Sequence, residues 1–135
     1  MNALKKMILE APMLLKPDFS KNFVLSTEAS SFAIGAMLEQ QNDDGSLAPV
    51  AYYSKKLKDV ETRYSAYERE ALAVVSAVKH FRCYLWNNEF DVYTDNSAVS
   101  RLYNLSEPTG RVARWISFLS EFRINLKHRK GKDTG

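Results

Sequence analysis

The sequence predicts an α/β domain built on a five-stranded mixed sheet with helical crossovers. Three observations lead there. Three short strand-like stretches separated by turn residues come first, a long segment with apolar residues at helical spacing follows, and two further strand-like stretches then alternate with helical ones. Strands joined by hairpins pair antiparallel, whereas a strand that rejoins the sheet after a helix needs a crossover, so both kinds of pairing are required.

The opening, Leu4 to Leu15, has helical spacing up to Pro12 and then breaks, and Pro17-Asp18 marks a turn. Phe23 to Thr27 reads as the first strand and Ala33 to Leu38 as the second, with Gly35 permitting close backbone approach. Asn42-Asp43-Asp44-Gly45 is a hairpin turn by composition, leading to a third strand, Val50 to Tyr53. From about Glu61 to Leu85, Tyr67, Ala71, Val74, Val78, Phe81 and Leu85 recur three and four apart, which predicts one long amphipathic helix. Phe90 to Thr94 is a fourth strand, followed by a short helix near Asn96–Tyr103, a loop with Pro108 and Gly110, a helix over Arg111 to Glu121, and a fifth strand over Arg123 to His128. No repeat at a solenoid period and no linker interrupts this order.

With 135 residues, 45% of them hydrophobic, and only nine glycines and prolines, the chain suits one domain with a substantial core and does not resemble a disordered segment. The single cysteine, Cys83, excludes an internal disulfide and a thiolate zinc cluster, which fits a reducing compartment. No apolar run approaches the roughly 18 residues of a membrane span, so a soluble intracellular protein is expected, with no membrane partner. Net charge is +3, but residues 111–135 hold seven Lys/Arg against two acids. Such a local basic stretch suits a phosphate-binding surface; solvated surface charge is the plainer alternative.

Two strands end in similar phrases, Thr27-Glu28-Ala29-Ser30 and Thr94-Asp95-Asn96-Ser97. If those strands are parallel neighbours, Glu28 and Asp95 meet beyond their carboxyl ends, where open sheets bind ligands, and their repulsion calls for a cation. On the long helix Glu70 lies about 60° from the apolar stripe and Glu68 about 100° away on the other flank. Ala66, Ala73 and Ala77 line the Glu70 side, so Glu70 borders the core and needs a metal or donor to satisfy it. Each acid also has a plainer reading: a cap or turn residue for Glu28 and Asp95, a solvated or lysine-paired carboxylate for Glu70. Phe81, Trp86 and Trp115 are expected in the core, and His128 is expected to be structural or exposed.

Ordered phrases along nearly the whole chain resemble the ribonuclease H domain of Ty3/gypsy-type retrotransposons and their retroviral relatives. They are Leu4-Lys5, Ala11-Pro12 and Pro17-Asp18-Phe19; Thr27 to Ser30 and Ala33 to Ala36; Val50 to Leu57; Tyr64-Ser65, Glu68-Arg69-Glu70 and Leu72 to Val75. His80-Phe81-Arg82, Tyr84-Leu85, Thr94-Asp95, Arg111 to Trp115 and Gly131-Lys132-Asp133 complete the series.

The resemblance implies a ribonuclease H-like fold with strands 1–3 antiparallel and strands 1, 4 and 5 parallel. It implies hydrolysis of the RNA strand of an RNA–DNA hybrid at a carboxylate site holding two Mg²⁺, for which Mn²⁺ substitutes. Glu28, Glu70 and Asp95 stand at the first three acidic positions, as catalytic residues and metal ligands. The family's fourth acid lies beyond Asp133, in a closing helix missing from this chain. The first position is ordinarily Asp, and Glu28 moves its carboxylate by about 1.5 Å at a metal that wants ligands at about 2.0–2.1 Å. Lys55, Lys56, Arg111, Arg114, Lys127, Arg129, Lys130 and Lys132 are the candidate contacts to hybrid phosphates. Residues 1–20 resemble the tail of the connection from a polymerase domain of the same polyprotein, and residues 21–135 the ribonuclease H-like domain. A cytoplasmic virus-like particle or the nucleus is the implied location. The alternative is a domain with an impaired metal site that serves as a nucleic-acid-binding or protein-interaction module.

Overall fold

The computed structural model describes residues 17–94 and 110–128. Strand β1 (Phe23–Ala29) alternates strictly at its start, with Phe23, Leu25 and Thr27 buried and Val24, Ser26 and Glu28 half-buried between them. Ser30 turns the chain: its N–H donates to the Ala33 carbonyl at 2.8 Å, and its hydroxyl oxygen accepts from the Ala33 N–H at 3.1 Å. Strand β2 (Ala33–Gln41) returns antiparallel to β1. Its next turn closes where Asn42 donates to the Ser46 carbonyl at 2.6 Å, and Asp44 accepts from the Ser46 N–H at 2.9 Å. Gly45, at φ +91°, supplies the positive φ this turn needs. Strand β3 (Leu47–Lys56) then pairs antiparallel with β2, with a register shift at Leu38/Glu39.

The helical stretch expected as one unit over 61–85 is instead three helices: α1 (Asp59–Thr62), α2 (Ala66–His80) and α3 (Arg82–Leu85). Ser65 explains the first break. Its hydroxyl accepts from the Glu68 N–H at 3.4 Å, and Glu68 accepts from the Ser65 N–H at 3.1 Å, a reciprocal cap that starts α2 at Ala66. Phe81 ends α2 with its N–H on the Ala77 carbonyl and its ring in the core, 1% exposed. Asn87, in the left-handed region at φ 64°, follows α3 and leads into strand β4 (Glu89–Thr94). Helix α4 (Gly110–Leu119) and strand β5 (Arg123–His128) complete the described chain. Expectations for residues 1–16, for the short helix near 96–103, for the Pro108 loop and for the closing helix fall outside the described residues.

The sheet order is β3-β2-β1-β4-β5, with β4 parallel to β1 and β5 parallel to β4. This is the mixed topology expected. Strands run further than the sequence suggested, to Ala29, Gln41 and Lys56, because polar residues at their ends continue the ladders. Helix α2 packs on β1 and β2. Its Ala71, Ala73, Val74, Ala77 and Val78 are at most 1% exposed and join Phe23, Leu25, Leu38, Phe90 and Val92 in one core. Val112, Trp115 and Leu119 of α4 cover the outer side of α2, so that helix is buried on two sides, not along one stripe. Gln40, wholly buried, ties the incoming chain to β2: its amide donates to the Asp18 and Lys21 carbonyls at 2.7 and 3.2 Å and accepts from the Asp18 N–H at 2.8 Å.

Candidate active site

Three connections bring one end of the sheet together. The β1–β4 register pairs Phe23 with Phe90 and Ser26 with Tyr93, and continuing it one residue aligns Thr27 with Thr94. Both threonines are buried. An inward Thr27 turns the next side chain, Glu28, to the other face of β1. Glu28 is half-buried with its Oε2 out of solvent, and its cross-strand partner is Gly35, which offers no side chain there. Strand β3 finishes at the same end, since Lys56 pairs with Ala33 and the Leu57 N–H donates to the Phe32 carbonyl at 2.8 Å. Helix α2 therefore enters from this end. Glu70 is its fifth residue, about 6 Å along the axis from the first, and is buried with its Oε2 out of solvent.

The structure thus puts Glu28, Glu70 and the end of β4 at one rim of the sheet. Asp95 follows Thr94 directly but lies outside the described residues. Among the described residues no group of three His, Cys, Asp or Glu is gathered for a metal. The neighbouring Glu68 is engaged elsewhere: it accepts from Arg111 Nη2 at 2.8 Å as well as from Ser65. Burial pushes its carboxyl up, but the Ser65 N–H, the Arg111 guanidinium and the Ser65 hydroxyl outweigh that and hold it below its ordinary value.

The cations divide between two places. Lys56, at the end of β3, and Lys127, paired in register with Tyr93 on β5, are exposed at the two edges of the sheet and at the same end as the acids. Lys55, Arg111 and Arg114 instead line a groove on the outer side of α2. Arg111 is stacked there on Tyr64, guanidinium carbon 4.0 Å from the ring centre. Arg129, Lys130 and Lys132, and the side chain of His128, are outside the described residues. Trp115 and Phe81 are in the core, but Trp86 is 48% exposed, with an edge-on contact to Phe122 at 5.5 Å. It stands at the cap of a four-residue helix, where the periodicity of a longer helix no longer dictates which way it faces. The Ser65–Glu68 cap and the buried threonines before each acid were missed in the sequence. The S-x-x-E spacing and the repeated Thr-acid phrase were the signals that could have found them.

Residues 18–122 match the model of the RNase H-like domain found in reverse transcriptase. The chain belongs to that family. It is 42% identical over 130 residues to the retrovirus-related Pol polyprotein from transposon 297 of Drosophila melanogaster, covering 96% of this chain and 12% of the relative. It is 39% identical over 132 residues to the transposon Tf2-3 polyprotein of Schizosaccharomyces pombe, covering 95% and 10%. The chain spans about a tenth of the length of these polyproteins. Among solved structures, the foamy viral protease-reverse transcriptase in complex with an RNA/DNA hybrid superposes with a TM-score of 0.67 at 19% identity, covering 93% of this chain and 17% of that one. LC11-RNase H1 in complex with an RNA/DNA hybrid superposes at 0.57 and 11% identity, covering 83% and 88%. The fold is ribonuclease H-like, and the Ty3/gypsy-type reverse transcriptase family expected from the sequence is the one found.

Proposed function

We propose that this domain hydrolyses the RNA strand of RNA–DNA hybrids as one part of a retroelement polyprotein that also carries the polymerase. The observation that carries the reading is the shared rim: Glu28 and Glu70 each bury a carboxylate oxygen where parallel β1 and β4 end, with Asp95 the next residue after β4. Hard carboxylate oxygens at a partly dry rim suit Mg²⁺, with Mn²⁺ as substitute, and Glu28, Glu70 and Asp95 would hold two such ions. When bound, the ions supply Lewis-acid charge to the scissile phosphate and acidity to water. In the reaction the water oxygen forms a bond to phosphorus, one P–O ester bond breaks, and the departing sugar oxygen takes up a proton.

Lys56 and Lys127 would grip the hybrid backbone. Four strand spacings separate the edges that carry them, about 19 Å at about 4.8 Å each, so they would straddle the acids. Phosphate contacts of this kind position a duplex without reading its sequence. Arg129, Lys130 and Lys132 would extend the grip. Such an activity would belong in the cytoplasm, in a virus-like particle, or in the nucleus.

A second reading is favoured by one residue. Glu28 stands where the family ordinarily has Asp, and its longer arm suits a domain that binds hybrid, or a protein partner, without cutting it. Labelled RNA–DNA hybrid incubated with Mg²⁺ or Mn²⁺ separates the two. Cutting by the natural chain, lost in Glu70→Gln and Asp95→Asn and kept in Glu28→Asp, supports the enzyme. Hybrid bound but uncut by both the natural chain and Glu28→Asp sinks it.

A further inference from the structure

The groove on the outer side of α2 belongs to neither acid. Counting about 100° per residue, Leu72, Val75, Ser76 and Lys79, which line it, centre about 190° around the helix from Glu70. It has a volume of about 550 Å³ and is walled by β3 on one side and α4 on the other. Lys55, Lys58, Lys79 and Arg114 border it. None of these four makes an ion pair with another described residue, whereas the fifth cation, Arg111, is taken by Glu68. Glu61 is the acid in its lining, and it already accepts the Lys58 backbone N–H at 2.8 Å. Lys58, Lys79 and Arg114 are exposed and Lys55 half-buried, with Lys79 Nζ 5.4 Å from the centre of the Phe118 ring. Beside these cations the rings of Tyr53 and His80 stack at 4.2 Å, one half-buried and the other exposed.

We propose that this groove binds a single nucleic-acid strand, phosphates on the lysines and Arg114, bases against the Tyr53–His80 rings. Cations that track a backbone beside flat rings are the chemistry of sequence-tolerant single-strand binding. A groove of this volume is of small-molecule size and takes a short run of one strand. An acidic peptide would satisfy the lysines but make no use of the rings. The groove begins beside α1 and Tyr64, at the sheet end that carries Glu28 and Glu70, and runs toward His80. It is thus placed to take a strand leaving that rim. Binding itself does not depend on the rim being catalytic, so loss of cutting and loss of strand binding are separable.

The test uses the natural chain, with a labelled oligothymidylate of about twelve nucleotides and a poly-glutamate peptide as probes. Lys58→Gln/Lys79→Gln should weaken oligothymidylate binding about tenfold at low salt and flatten the log–log salt slope by about 1.4, at about 0.7 per phosphate contact. His80→Ala should weaken it without changing that slope, which a purely electrostatic site would not show. Arg123→Gln, exposed at the opposite end of β5 and outside the groove, should leave it unchanged. Unaltered binding by the Lys58/Lys79 double variant, with an unaltered unfolding midpoint, overturns the proposal. So does poly-glutamate binding of equal strength lost in the same variant, which would assign the groove to an acidic protein segment.

Discussion

At single residues, the rim depends on small polar side chains that the core tolerates at a cost. Thr27 is wholly buried, and its hydroxyl has no hydrogen-bond partner among the described residues. An unsatisfied buried hydroxyl costs about 1–3 kcal/mol, so Thr27→Val, which keeps the shape, should stabilise the domain by about 1 kcal/mol and raise Tm by several degrees. A fall in Tm would show that the hydroxyl is bonded. Glu68 makes the opposite case. Its carboxyl is held below the ordinary 4.5, so the stability it contributes is fully present above about pH 4.5 and is lost as pH falls through the lowered value. Glu68→Gln should therefore lower the urea midpoint at pH 7 and narrow its deficit against the natural chain in acid. A deficit constant with pH would remove the carboxylate from the account. Which acid turns inward was legible in part: the helical wheel set Glu70 beside the core and Glu68 on the other flank. That Glu68 is engaged by Arg111, 43 positions away, could not be read, because the pairing exists only once α4 packs on α2.

At the level of elements, boundaries were the harder reading. The apolar periodicity from Tyr67 to Leu85 continues through α2 and α3, and nothing in its spacing marks the end at His80. The start was written in Ser65 and Glu68, whose reciprocal bonds are local and visible as a three-residue spacing. Ser65→Ala should cost about 1 kcal/mol of stability and fray the turn that carries Glu70, lowering cutting more than binding. Equal loss of both would mean that the turn is held by packing alone. The β2–β3 turn illustrates a conformational limit, not a spatial one. A Cβ on Gly45 would meet nothing within 4 Å, but its φ of +91° strains any L side chain. Gly45→Ala should thus lower stability by about 1–2 kcal/mol, seen as a reduced denaturant midpoint with an unchanged slope.

Over the whole molecule, the strand order, which no local pattern gives, is what makes the sequence phrases meaningful. Three antiparallel strands followed by helical crossovers left few sheets possible, and the one formed sets β4 beside β1 and β5 beside β4, all parallel. Thr27 and Thr94, 67 positions apart in the chain, thereby become the neighbouring ends of paired strands. The same topology separates the cations by place: Lys56 and Lys127 at the sheet's two edges beside the rim, Lys58 and Lys79 on the outer side of α2. Hybrid binding should follow that division. Lys56→Gln and Lys127→Gln should each flatten the log–log salt slope of hybrid binding by about 0.9, and should raise KM while leaving kcat near its natural value, because phosphate contacts far from the reacting bond bind ground and transition states alike. Glu70→Gln should do the reverse, abolishing turnover with the salt slope intact. A fall in kcat with unchanged slope in the lysine variants would mean that these edges shape the rim instead of holding the duplex across it.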